Sequence, residues 1–307
     1  MVKLQNVTRA HLGLLLANLV WAVNYPFYKV LMPHYITPVA LATFAVTVAG
    51  LLGLVSLFWG GIEKIDRNDI YKFIGAALLM GIAKKLLLMI GMQHTSPIEA
   101  SIIATLGPIL VLVFSFFFGI DRFTPMKVFG MVLGMGGALL VILSGGGAVT
   151  SGEKLMGNLF VVGAIAASSF SMVWLKGLIM KYRPITVLRV YYPMAAVMLL
   201  PFGFDSMIHT DFAAIPPHIW WVIAYAVLLP SFGPNYLLIF SLHYVKPTIS
   251  SVYFYLQPVI ATGLSVALGM DKLSWDRGLA SIAVFVGVLL VVNAYKNHPS
   301  APRHGGE

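Results

Sequence analysis

The sequence has no cysteine and very little acid. With no thiol among its 307 residues, disulfides and thiol chemistry are excluded, while the compartment is left open. Charged residues make up 10% of the chain, against about 25% in a soluble domain. A fold so poor in charge could not cover its own surface in water. Asp and Glu total 11, and Glu99 is the one acid that falls inside a long apolar run, close to the end of that run. No His, Asp and Glu cluster has metal-ligand spacing, so no metal site is expected. No Gly-rich phosphate loop and no nucleophile motif stands out, so neither a cofactor nor a catalytic site is expected. A hydrolase inside a membrane would need a nucleophile–base pair or a metal.

Long apolar runs are what the chain has instead. It is 59% hydrophobic, with a mean hydropathy of +0.88. About 20 mostly apolar residues carry a helix across a bilayer. Ten runs approach or exceed that length: Leu12–Leu31, Pro38–Phe58, Ile70–Met92, Pro97–Phe118, Lys127–Leu143, Leu155–Trp174, Ile185–Phe204, His218–Phe240, Thr248–Leu268 and Leu279–Tyr295. They are apolar all round, whereas barrel strands alternate. Helices also satisfy their own backbone hydrogen bonds, as lipid requires. The expected fold is an all-α membrane protein of ten transmembrane helices. The first run is too long for a signal-peptide core and lacks a small-residue cleavage site, so it is expected to stay attached.

The net charge of +9 could suggest a nucleic-acid partner, but the placement of the charges points to a bilayer. If the N-terminus is cytoplasmic, inner segments hold Lys3, Arg9, Lys64, Arg67, Lys72, Arg122, Lys127, Lys176, Lys181, Arg183, Lys246, Lys296 and Arg303. Outer segments hold only Lys154, Lys272 and Arg277, and four cations lie within spans: Lys29, Lys84, Lys85 and Arg189. This positive-inside bias puts both termini in the cytoplasm. The polar tail 297–307 is expected to be disordered.

The chain also repeats itself. A shift of 150 residues places Pro97 on Pro247, Ser101 on Ser251, Pro108 on Pro258, Gly119 on Gly269, Asp121 on Asp271 and Gly137 on Gly287. The opening spans match near a shift of 146 or 147. Two units of five helices follow, 1–148 and 149–296. An odd number of crossings inserts the second from the opposite side, which makes them inverted repeats. Secondary transporters commonly use this plan, with the site at the midplane between the repeats.

Three stretches carry a family resemblance: Trp21-Ala-Val-Asn24, the run HTSPIEASIIATLGPIL from His94, and GIDRFTPMKVFGMVLGMGGALLVIL from Gly119. With these the chain resembles the EamA-type branch of the drug/metabolite transporter superfamily, over roughly residues 10–295. The resemblance implies ten helices, cytoplasmic termini, and a cavity lined mainly by spans one, three, four, six, eight and nine. Many members carry an Arg in the second span where this chain has Phe44; the seventh span keeps Arg189.

Within the spans, Ser101, Thr105 and Pro108 share a helix face, and Ser251, Tyr255 and Pro258 repeat it. Each proline frees a carbonyl four residues earlier, at Ala104 and Phe254, for a hydroxyl, a water or a ligand. In the third and eighth spans the same shift puts Lys84 on Pro234 and Lys85 on Asn235. Pro230-Ser-Phe-Gly233-Pro234-Asn235-Tyr236 reads as a broken helix, a pointer to a binding site. A lysine at that depth costs roughly 2.5–3.5 kcal/mol on insertion scales. Adjacent helical residues diverge by about 100°, so one lysine is expected to face the cavity while the other snorkels. Trp21, Asn24, Tyr25 and Tyr28 form a face of the first span, and Ser168, Ser171 and Trp174 lie in the sixth. The expected substrate-binding set is Trp21, Asn24, Tyr25, Lys84, Lys85, Ser101, Thr105, Ser171, Asn235, Tyr236, Ser251 and Tyr255. Gly130 and Gly134 are read as helix packing.

The expected partners are a lipid bilayer and a small polar substrate, anionic or zwitterionic given the cationic interior. The expected place is the inner membrane, and the expected activity is metabolite export by alternating access. The scarcity of membrane carboxylates points to facilitated transport or exchange rather than proton drive. A lipid-linked flippase, or an accessory subunit of one, is the competing expectation.

Overall fold

A computed structural model describes residues 2–120, 124–143 and 151–270, with scattered positions between 275 and 290. The described residues are mostly helical, with no strand among them. Eight stretches are long and apolar enough to cross a membrane: Gln5–Leu31, Pro38–Trp59, Arg67–His94, Pro97–Phe117, Gly152–Trp174, Pro184–Ile208, Pro217–Tyr244 and Pro247–Ala267. The fifth expected span is a further helix, Pro125–Leu143. The tenth falls largely outside the described residues, as do the Asp121/Asp271 pair and the tail 297–307.

The helices in order are α1 (Val2–Leu31), α2 (Pro38–Val55), α3 (Ile70–Ala76), α4 (Lys84–His94), α5 (Pro97–Ala104), α6 (Gly107–Phe117) and α7 (Pro125–Leu143). Then come α8 (Ser151–Trp174), α9 (Lys176–Lys181), α10 (Pro184–Ile208), α11 (Pro217–Leu228), α12 (Phe232–Tyr244), α13 (Pro247–Ser251) and α14 (Leu256–Ala267). Their starts are written in the sequence. Pro38, Pro97, Pro125, Pro184, Pro217 and Pro247 each open a helix, where a missing N–H leaves no bond unmade. Thr37 and Ser96 precede two of these prolines, and their hydroxyls accept from the amides of Ala40 and Glu99. The ends of α6 and α14 are equally legible. Gly119 and Gly269 have φ of 66° and 67°, and the following amides reach back to Ser115 O and Ser265 O at 2.8 and 2.9 Å. That is the Schellman closure, which favours glycine at the left-handed position.

Long-range packing links early and late helices. α2 runs along α10, α1 packs on α12 and α14, and α8 packs on α4, α5 and α6. At the α2–α10 crossing, a Cβ on Gly50 would stand 2.9 Å from Ala196 Cβ. Two buried apolar clusters form. One gathers Tyr28, Leu31, Met92, Ile98 and Ile219; the other gathers Leu14, Phe73, Met172, Tyr191 and Leu242. Large apolar side chains such as Leu16, Phe58, Phe202 and Trp221 stay exposed, as lipid permits.

Polar bridges hold both ends of the bundle. At one end Lys181 pairs with Asp66 and Asp69, Tyr182 donates to Asp69 at 2.9 Å, and the Arg183 amide donates to Glu63. Arg189 does more there than snorkel: it donates to the carbonyls of Ser56, Gly60 and Gly61 and to Ser56 Oγ, tying α10 to the end of α2. At the other end Lys154 meets Glu99 at 2.8 Å, and Thr95 bonds Asn158. Lys29 there donates to the carbonyls of Met92, Gln93 and Thr95, which close α4.

Candidate substrate chamber

Four stretches inside the bundle depart from α geometry, and they converge on its middle. Between α3 and α4 the chain widens into a π-helix, Ala77–Ala83, that ends directly on Lys84. Between α11 and α12 it breaks at Leu229–Ser231. α5 and α6 part at Thr105 and Leu106, whose amides bond three residues back, and Val252–Tyr255 is a 3₁₀ turn. The sequence exposes the second break through Pro230 and Gly233. It gives no sign of the first, because Ala-Leu-Leu-Met-Gly-Ile-Ala holds no proline. π turns recur at functional sites because they redirect the side chains beside them.

Both lysines turn inward. Lys84 Nζ sits 4.4 Å from the centre of a Trp21 ring, and Lys85 Nζ donates to Tyr28 Oη at 2.8 Å. The expectation that one would snorkel away is therefore corrected: the aromatic face of α1 receives both. Among the described residues neither lysine forms an ion pair with a carboxylate. The carbonyls freed at the α11–α12 break are answered from three helices. Trp21 Nε1 donates to Pro230 O, Tyr192 Oη to Ser231 O, and Asn235 Nδ2 to Ser231 O and Tyr192 Oη.

Two cavities meet here. The first is lined by Trp21, Tyr28, Lys84, Lys85, Tyr192, Ser231 and Asn235 among others. The second is lined by Trp21, Asn24, Tyr25, Tyr28, Lys84, Ser168, Phe254 and Gln257, with apolar neighbours. They share Trp21, Tyr28, Lys84 and Leu88 in their walls, so they adjoin across those side chains as two lobes of one chamber region. In the second lobe Tyr25 Oη donates to Gln257 Oε1, and Gln257 Nε2 donates to Asn18 Oδ1 at 2.7 Å. Asn24 differs: it is 3% exposed, and neither amide atom has a hydrogen-bond partner among the described residues.

Of the twelve residues expected at the site, the chamber gathers Trp21, Asn24, Tyr25, Lys84, Lys85 and Asn235. The others line neither lobe. Ser101, Thr105, Ser171 and Ser251 turn their hydroxyls onto carbonyls three residues back, at Ile98, Ile102, Ser168 and Thr248. Tyr236 stacks on Phe240, and Tyr255 lies beside Phe285 with its hydroxyl buried.

A chamber enclosed by membrane-length helices, with breaks at its walls, suits a carrier, and comparison with known proteins agrees. The profile of the EamA-like transporter family matches residues 8–143 and 155–293. The chain belongs to the EamA-like transporter family. It is similar to the uncharacterized transporter YoaV of Bacillus subtilis, 24% identical over 92% of this chain and 97% of that one. It is similar to the uncharacterized inner membrane transporter YedA of Escherichia coli K12, at 26% identity over 90% and 89%. An uncharacterized transporter of Archaeoglobus fulgidus is 25% identical, over 57% of this chain and 60% of its own length. A solved crystal structure superposes with a TM-score of 0.66 at 18% identity, covering 92% of this chain and 98% of that one, a likeness of fold. These names indicate a membrane transporter rather than an enzyme.

This EamA-like chain has features in its chamber that the sequence hid. Tyr192 and Ser231 line the first lobe, and nothing in the periodicity of α10 singles out Tyr192. Ser168, already singled out with Ser171 and Trp174 in the sixth span, lines the second lobe with Gln257, whose signal is only that it is polar in an apolar span. Phe44, in place of the family's second-span Arg, lies against Phe212 outside both lobes.

Proposed function

We propose that the chain is a secondary transporter that carries a small anionic or zwitterionic metabolite, an amino or organic acid, by alternating access. Its frame is two inverted five-helix repeats in the inner membrane, with both termini cytoplasmic and export as the direction. The observation that carries this reading is the pair Lys84 and Lys85 at the wall of the shared chamber, without a protein counter-charge among the described residues. Two ammonium groups at membrane depth favour a ligand that brings the opposite charge.

The repeat is supported by reciprocity. The contact of α1 with α12 becomes that of α8 with α4 when each partner is shifted by about 150 residues. Gly50 and Ala196, equivalent under the opening-span shift, touch each other, as residues on a two-fold axis do. The breaks also correspond: the π segment overlays the α11–α12 break, and Thr105 overlays Tyr255. Discontinuous helices in matching places support a midplane site.

The test is flux in proteoliposomes. Labelled amino and organic acids are offered to the full chain, with pH gradients on and off. Saturable uptake of an anionic or zwitterionic solute is expected, and K84Q/K85Q should reduce it about tenfold or more, the loss of one charge-assisted hydrogen bond being enough for that. Unchanged flux in a folded double variant removes the reading. Translocation of a lipid-linked sugar without any soluble solute would support the flippase instead.

A further inference from the structure

We infer that the carried solute is a bipartite anion: a carboxylate or similar group in the lysine lobe, joined to a flat, largely apolar body that presents a hydrogen-bond donor and acceptor side by side to Asn24. This rests on the transporter reading above and adds the shape and polarity of the cargo. The two lobes differ in chemistry. The first holds both lysines, and its other polar groups, Tyr192 and Asn235, are occupied with the carbonyl of Ser231. The second is walled by Trp21, Phe254, Leu88 and small apolar residues. Of its polar groups, Tyr25 and Gln257 satisfy one another and Asn18, Tyr28 accepts from Lys85, and Ser168 adds a hydroxyl.

Asn24 is the exception in that wall. A carboxamide can donate twice and accept twice. Here both of its polar atoms are buried with no partner among the described residues. Leaving such a group unmet is costly, so it marks a place where something else completes the bonds. A carboxamide pairs best with an edge that offers one donor and one acceptor, as a primary amide, a lactam or an amino-substituted heteroaromatic ring does. Asn24 also lies one helical turn from Tyr28, which orients Lys85; that is about 6 Å along α1. A single small molecule spans that distance. Lys84, common to both lobes, sits where head and body join.

Four probes separate the parts: 4-carbamoylbenzoate has the anion, the ring and the amide edge; benzoate lacks the edge; benzamide lacks the anion; acetate lacks the body. Binding to the full chain in lipid nanodiscs is read by tryptophan fluorescence and by thermal midpoint. 4-Carbamoylbenzoate is expected to bind about tenfold tighter than benzoate or benzamide, and acetate weakest. Asn24→Leu should bring 4-carbamoylbenzoate down to the benzoate level, and the thermal midpoint without ligand reports that the variant is folded. Equal binding of benzoate and 4-carbamoylbenzoate, or an Asn24→Leu variant that keeps the difference, overturns the inference and leaves the transporter reading standing. No binding by any probe overturns it as well. Benzamide binding as well as 4-carbamoylbenzoate would instead count against the anionic cargo on which it rests.

Discussion

Glu99 and Lys154 show how much one buried pair can matter in this chain. The carboxylate side chain is fully buried and the lysine side chain 9% exposed, with 2.8 Å between them. Two charges taken from water gain little over an apolar pair, but removing one partner strands the other. Glu99→Gln should therefore destabilise the protein by about 3–5 kcal/mol, seen as a large drop in thermal midpoint in nanodiscs. Adding Lys154→Met should recover most of that loss. If the double variant is as unstable as the single, the pair is not what holds that end together. Lys84 and Lys85 follow the opposite logic: their nearest polar and aromatic company is Tyr28 and Trp21. At this scale the lysines were legible as chamber residues, though not that α1 would receive both, and the hydroxyls were not legible. A lysine at membrane depth has few places to go. A serine can always turn back on its own helix, and Ser101, Ser171 and Ser251 do so.

Among the elements, helix starts and stops were the most legible features, because proline at the first position, Thr37 and Ser96 as caps, and Gly119 and Gly269 as left-handed stops act through local stereochemistry. The π segment was not legible, because it depends on tertiary fit: Gly81 meets Ala195 so closely that an added Cβ would lie 2.5 Å away. The α4–α8 crossing is of the same kind. A Cβ on Gly91 would lie 2.7 Å from the Gly157 carbonyl oxygen and 2.7 Å from Val161 Cγ2. The first of these is backbone and cannot swing aside. Gly91→Ala should thus cost about 1–3 kcal/mol, the range for an overpacked core, and lower the thermal midpoint. Gly177→Ala is the control, since its Cβ would meet nothing within 4 Å and alanine favours the helix by up to about 1 kcal/mol. Equal behaviour of the two variants would mean that α4 and α8 are not in close contact. The Gly130–Gly134 pair read from sequence as a packing motif has Gly287 lying against it.

Across the whole molecule, the two ends of the bundle are closed by bridges of unlike strength, and this asymmetry sets how the chamber should open. The Glu99–Lys154 pair is buried, whereas Lys181 and Asp66 have side chains 46% and 60% exposed. Salt screens exposed pairs and leaves buried ones nearly untouched. Asp66 and Asp69 hold the Lys181 ammonium above its ordinary titration range. A raised lysine contributes fully at low pH and loses its effect only as pH climbs through the raised value, so this bridge stays charged and constant from pH 6 to 8. The absence of native cysteine makes the consequence measurable. Ser231→Cys places one thiol on the chamber wall, and a membrane-impermeant maleimide can reach it from either side. Lys181→Ala, or added salt, should speed labelling several-fold from the side bearing Lys181, with little effect from the other and no pH trend over that range. Glu99→Gln/Lys154→Met should speed labelling from the opposite side, and salt should not reproduce that effect. Labelling that rises equally from both sides with either change would mean that the chamber opens as a pore, and alternating access would fail with it.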